Sequence, residues 1–187
     1  MVILAIADRP PRENLLDLIT QSQVDLICTL GDLDYFSLRE LEAVTTIPKI
    51  GVYGNHCSGN YFELLKISNL HLRTFEYGGL VFGGFEGSVR YKQSPYAKMY
   101  TQEEAQALLQ NFPRVDVFLA HSPAYGINDE PNDPVHQGFI AIRDYLTSRQ
   151  PKYFLHGHTY PSTTNLIKKY GNTNVVYVHG AEIVEIY

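Results

Sequence analysis

Six side chains able to bind a metal or move a proton stand at matching places along the sequence: Asp8, Asp32, Asn55, His56, His121 and His158. Each follows an apolar run. Val2 to Ala7 stops at Asp8, Leu26 to Leu30 at Gly31-Asp32, and Pro48 to Tyr53 at Gly54-Asn55-His56. Val115 to Ala120 stops at His121, and Tyr153 to Leu155 at His156-Gly157-His158. Carboxylate, amide oxygen and imidazole in combination suit a borderline divalent metal such as Mn, Fe, Ni or Zn, and the absence of ligand-spaced cysteines argues against a structural zinc site. One strand-end Asp or His alone is best explained as a turn residue or a satisfied core side chain. Recurrence along the chain reverses that judgement.

The elements that must position these groups follow from the same pattern. Continuous apolar runs read as strands covered on both faces, and helical spacing fills the intervals: Leu15, Leu16, Leu18 and Ile19; Leu38, Leu41 and Val44 within Ser37 to Thr46; and Tyr61 to Ile67. A Thr101–Glu104 capping box opens a helix carrying Ala105, Leu108 and Leu109, and Phe139, Ile142 and Leu146 mark another. Strands at Leu70 to Phe75 and Leu80 to Phe85 turn at Gly78-Gly79, and Thr163 to Tyr187 reads as closing antiparallel strands. An α/β order of this kind gathers the carboxyl ends of its strands along one crevice, where open α/β sheets bind ligands.

Size and composition set the bounds. At 187 residues one domain spanning 1–187 is expected, and no Pro-, Ser- or charge-rich tract offers a linker. A net charge of -5 without Lys or Arg runs speaks against duplex nucleic acid or an anionic membrane as partner, while leaving room for a small phosphorylated substrate at a metal. No apolar stretch approaches the ~20 residues of a membrane span, and two cysteines make no disulfide framework, so a cytoplasmic location is expected.

The motifs Asp8-Arg9-Pro10, Gly31-Asp32, Gly54-Asn55-His56, His121 and Gly157-His158-Thr159-Tyr160 together resemble the calcineurin-like metallophosphoesterase superfamily over nearly the whole chain. The glycine-rich segment running into Arg90-Tyr91 resembles its small prokaryotic members. The resemblance implies two facing mixed β-sheets flanked by helices, a four-layer αββα sandwich, with metals at the strand ends. It implies hydrolysis of a phosphodiester or phosphomonoester by a metal-activated water. Carried over residue by residue, one metal site is complete as Asp32, Asn55, His121 and His158, and His56 matches the catalytic histidine. The other keeps Asp8 and Asp32 but has Pro10 and Tyr160 where the superfamily has histidines. One tightly bound ion is therefore expected, with slow turnover on generic substrates.

Other candidates surround that core. Purple acid phosphatases, a branch of the superfamily, ligate ferric iron through a Tyr three residues after the bridging Asp, and Asp32 and Tyr35 share that spacing. Tyr35 is thus a candidate iron ligand with Asp8 and Asp32, the alternative being packing under the next loop. Arg9, Tyr35 and Tyr160 are the candidates for the space beside Asp8. Arg90 has the fork for a bidentate phosphate contact, and His136 is a candidate pocket-lining residue. Cys57, where the superfamily has an acidic residue, reads as a small apolar filler. The rival class is a catalytically weak or inactive binding scaffold on the same fold, favoured by the half-lost metal site and opposed by the intact one and His56.

Overall fold

The computed structural model describes residues 1–57 and 59–187. From the N-terminus, β1 (Val2–Ala7) leads to α1 (Leu15–Ser22), β2 (Leu26–Thr29), the short helix α2 (Tyr35–Leu38), β3 (Lys49–Gly51) and α3 (Tyr61–Leu65). Next come β4 (Ser68–Asn69), β5 (Thr74–Tyr77), β6 (Leu80–Phe85), β7 (Ser88–Val89), β8 (Met99–Tyr100) and α4 (Gln102–Leu109). The last third holds β9 (Val117–Ala120), α5 (Ile140–Arg149), β10 (Tyr153–His156), β11 (Lys169–Tyr170), β12 (Thr173–Tyr177) and β13 (Gly180–Glu185).

Two mixed sheets face each other, one in the order β13-β1-β2-β3-β4 and the other β11-β12-β10-β9-β6-β5, with β7 and β8 paired separately. The continuous apolar runs are explained by burial on both faces. In β1, Ile3, Ala5 and Ala7 pack into the layer between the sheets against Phe82, Leu119 and Leu155, while Leu4 and Ile6 pack outward beneath Leu15, Leu38 and Phe62. On the other side Phe118 and Phe154 turn outward to Leu109, Ile142 and Leu146 of α4 and α5. Helix, sheet, sheet and helix form the four layers expected.

Local chemistry sets the element ends. The Thr101–Glu104 capping box opens α4 as read from sequence. The helix expected over Ser37 to Thr46 is shorter and displaced. Asp34 and Ser37 make their own capping box, starting α2 at Tyr35, and a 3-10 turn over Arg39–Glu42 follows. The buried Lys49 ammonium then takes the carbonyls of Leu41 and Val44 at 2.9 and 2.6 Å, satisfying acceptors that a continued helix would have used. The closing segment also departs from expectation. Only β11 and β12 form an antiparallel pair there; β12 runs parallel to β10, and β13 crosses to the other sheet to pair antiparallel with β1, Ala7 opposite Gly180.

His156, at the end of β10, is fully buried. Its Nδ1–H donates to the Gly157 carbonyl at 3.2 Å and its Nε2 accepts from Asn128 Nδ2 at 3.1 Å, so the neutral ring is satisfied. Burial holds its pKa down to about 4 from the ordinary 6.5. The unfolded chain therefore binds this proton before the folded one does, and stability contributed above pH 6.5 is lost as pH falls toward 4. The full effect is about 3 kcal/mol at 1.36 kcal/mol per unit. His156→Gln is expected to flatten the acid slope of stability, measured by urea unfolding between pH 7 and 4.5; an unchanged slope would place the acid sensitivity elsewhere.

Candidate metal centre

Asp8, Asp32 and His158 sit where β1, β2 and β10 give way to loops, and all three have left-handed backbones, with φ of 65, 53 and 72°. Non-glycine residues avoid that region at a cost on the order of 1 kcal/mol or more each, so surrounding structure must hold them there. Glycines let the loops close in. A Cβ on Gly54 would lie 2.1 Å from Asp32 Oδ1, and one on Gly157 would lie 2.6 Å from Asp8 Oδ2. Asp8 is fixed from the opposite sheet, both its oxygens accepting from the His158 backbone N–H at 3.1 and 2.9 Å. The His56 N–H donates to Asp32 Oδ1 at 2.7 Å.

Two imidazoles are aimed by backbone carbonyls. His121 Nδ1–H donates to Leu30 O at 2.8 Å, leaving Nε2 facing Asn55 Oδ1 at 3.0 Å and Asp32 Oδ2 at 3.5 Å. His158 Nε2–H donates to Val135 O at 2.9 Å, leaving Nδ1 for the same space. Such second contacts fix the tautomer of ligating histidines. Donor atoms of Asp32, His121 and His158 lie within 4.8 Å of one another. With His121 neutral, lone pairs converge on one point; with it protonated, its Nε2–H is the donor there, in the place a cation would take. The Asn55 amide nitrogen, buried and without a hydrogen-bond partner, is consistent with an amide turned to present its oxygen. One carboxylate, one amide oxygen and two imidazoles fit a divalent transition metal.

Electrostatics agree with that reading. Burial works against charge on both Asp32 and His121, yet their mutual attraction prevails, lowering the carboxyl and raising the imidazole. A second proton on His121 thus fills the role a cation would take. Burial pushes Asp8 up to about 6 despite the pull of His121, and repulsion from Asp32 adds to the rise. Burial also drives His158 down to about 3, keeping it neutral and able to ligate.

Asp8, Asp32, Asn55, His121 and His158 are thus gathered at one place, with exposed His56 beside them. Three sequence candidates are placed otherwise. The Tyr35 hydroxyl donates to Glu42 Oε2 at 2.9 Å on the following 3-10 turn, which corrects the ferric-ligand expectation in favour of packing. Arg90 donates through Nη2 to Glu104 Oε2 at 2.7 Å and to Met99 O at 3.1 Å, which turns it toward α4. Tyr160 is 63% exposed, its ring edge-on to His179 and His136 rather than turned in as a ligand. His136 lines the rim, 5.7 Å from the His158 ring and bonded to Asp133 Oδ2 at 2.6 Å.

Four contributors went unread in the sequence. Tyr91, not Arg90, reaches the site, its hydroxyl 3.2 Å from His56 Nε2. Cys57 is more than a filler: its sulfur accepts from the N–H groups of Asp32 and Gly54 at 3.2 and 2.9 Å, binding two loops together. Asn128 ties the 121–134 loop to Ile167, exchanging two hydrogen bonds of 3.0 and 2.7 Å. His179 stands beside Asp8 with Nδ1 3.7 Å from Oδ2. Its signal lay in the run Val175 to Val178, another apolar stretch ending in a histidine.

The sequence profile of calcineurin-like phosphoesterases matches residues 5–162. The chain belongs to that family. Members are metal-dependent hydrolases of phosphoesters, and the four-layer architecture agrees with the assignment. The protein TT1561 of Thermus thermophilus superposes with a TM-score of 0.64 at 18% identity, over 96% of this chain and 89% of that one. A hypothetical protein from the same organism gives 0.56 at 19%, over 96% and 76%. A further crystal structure gives 0.66 at 18%, over 94% and 89%. At these identities the likeness is one of fold. No curated protein matches the chain.

Two outcomes follow for this calcineurin-like phosphoesterase. If His121 ligates a metal it must be neutral, and since its pKa is raised to about 9 by Asp32 and Asp8, affinity is expected to climb with pH until about 9 and binding at pH 7 to release about one proton. Calorimetry of Mn2+ binding in buffers of different ionisation enthalpy reads that release, and a buffer-independent heat would contradict it. Gly54→Ala pushes a methyl group into Asp32 and is expected to cost at least tenfold in metal affinity, measured by competition with a chelating dye.

Proposed function

We propose that this protein hydrolyses a small phosphodiester or phosphomonoester using one tightly held divalent metal, Mn, Fe, Ni or Zn, bound by Asp32, Asn55, His121 and His158. The observation that supports this reading is the convergence of one carboxylate, one amide oxygen and two imidazoles from those four residues at one place beside His56. Such a metal, when bound, polarises the phosphoryl group and makes water nucleophilic at neutral pH.

The residues of the chain supply the remainder. His56 is the catalytic acid that delivers a proton to the leaving oxygen; its backbone N–H on Asp32 fixes where its ring begins, and Tyr91 steadies its Nε2. His136 and Tyr160 form an aromatic rim over His158 and His179. Beside His179, Arg9 and Arg12 line a cleft of about 190 Å³ together with Pro10, Glu13 and Glu182. Neither makes an ion pair among the described residues, and either guanidinium suits a contact with substrate oxygens.

A chromogenic phosphodiester assay on metal-loaded protein tests this reading. His121→Ala should remove activity together with metal, whereas His56→Ala should keep the metal and lose on the order of a hundredfold in kcat. Tyr91→Phe, which removes a hydrogen bond worth about 1 kcal/mol, should lower kcat roughly fivefold and leave metal content unchanged. Tight metal with no turnover on mono- or diesters would instead support the binding scaffold.

A further inference from the structure

The apolar run Leu80 to Phe85 forms β6 and, like the runs before the metal centre, stops at a carboxylate, Glu86. Phe85 pairs with Ala120, so the register sets residue 86 beside residue 121, yet the Glu86 side chain is bonded elsewhere. Its Oε1 accepts from the Tyr100 hydroxyl at 2.9 Å and from the Lys98 ammonium at 3.2 Å. His71 closes a ring. The Glu86 backbone N–H donates to His71 Nδ1 at 3.2 Å, so Nε2 carries the proton and donates to the Tyr100 oxygen at 3.3 Å. Glu86 is buried, and desolvation offsets most of what a buried ion pair gains by attraction. What the cluster fixes is position. Gly87, at φ 75°, lets the Lys98 carbonyl approach where a Cβ would stand 2.1 Å from it, and its N–H donates to Tyr53 O at 2.8 Å. The N–H groups of Ser88 and Arg90 donate to the carbonyls of Lys98 and Tyr100 at 3.1 and 2.9 Å. The two residues that Glu86 holds by side chain are thus the two that hold β7 by backbone. Tyr91 comes next, its hydroxyl 3.2 Å from His56 Nε2.

We propose that Glu86 is a positioning residue for turnover: through Lys98 and Tyr100 it sets the place of the β7–β8 pair, and so keeps the Tyr91 hydroxyl on His56. This inference rests on the roles given to His56 and Tyr91 above. A displacement of about 0.5 Å is enough to carry a contact of 3.2 Å beyond hydrogen-bonding distance, so the arm needs a rigid anchor. None of the side-chain partners of Glu86 is a metal ligand, and its effect is therefore on turnover rather than on metal content.

A double-mutant cycle with Tyr91→Phe, read as kcat and KM of the metal-loaded protein on a chromogenic phosphodiester, tests the assignment. Glu86→Ala is expected to lower kcat about fivefold, as Tyr91→Phe does, with KM and metal content unchanged. In the Tyr91→Phe background it should cost nothing further. Glu86→Gln, which keeps an acceptor for both partners, should recover most of the loss. Tyr100→Phe breaks the same ring with a smaller change; it should show the same non-additivity with Tyr91→Phe, and it decides the question if Glu86→Ala does not fold. Equal losses in both backgrounds, no loss in either, or a fall in metal content would overturn this role while leaving the hydrolase reading intact. Absence of turnover by the unaltered protein would overturn both.

Discussion

The bond from His121 to the Leu30 carbonyl is the interaction on which the rest of the site depends. At 2.8 Å it joins the end of β9 in one sheet to the end of β2 in the other, and it does so in full burial. The His158 backbone N–H reaching across to Asp8 is a second tie of the same kind. Two sheets that otherwise adhere through side-chain packing are thereby locked at one edge to a fixed spacing. Packing alone specifies a separation loosely, whereas hydrogen bonds at this length set donor atoms to the tolerance that metal binding needs.

That lock also concentrates opposing demands. Asp8 and Asp32 repel each other, three residues adopt left-handed backbones, and His158 is held neutral by burial. None of these favours folding. They persist because the surrounding layers, with Phe82, Phe118, Leu119 and Leu155 fully buried, over-determine the strand ends. His121, whose imidazole pKa the two carboxylates raise, eases the conflict by standing between them.

The gathered side chains were legible because a strand end is marked in sequence by where an apolar run stops, whereas the four layers were legible only through the family resemblance of the motifs. Side-chain direction away from those ends was not. Tyr35 has the right spacing from Asp32, but α2 begins at that residue and carries its ring toward Glu42. Arg90 and Tyr91 lie just past β7, and which of the two faces His56 depends on a pairing with β8 that no periodicity announces. The crossing of β13 to the far sheet was equally unmarked, and with it the arrival of His179, since an alternating segment reads the same whichever sheet it joins. Cys57 was misjudged because its role lies in sulfur lone pairs facing two N–H groups, which depends on loop geometry and not on residue type.

The pairing of β13 with β1 also bears on how the molecule is made. All six residues of β1 are matched in register, Val2 with Glu185 through to Ala7 with Gly180. During synthesis β1 therefore emerges ahead of the other strands and waits, one edge unpaired, until β13 has left the ribosome. Contacts of such long sequence separation form late and slow the search for the native state. The surroundings of Asp8 are accordingly among the last parts of the domain to be built, complete only once the first sheet has closed.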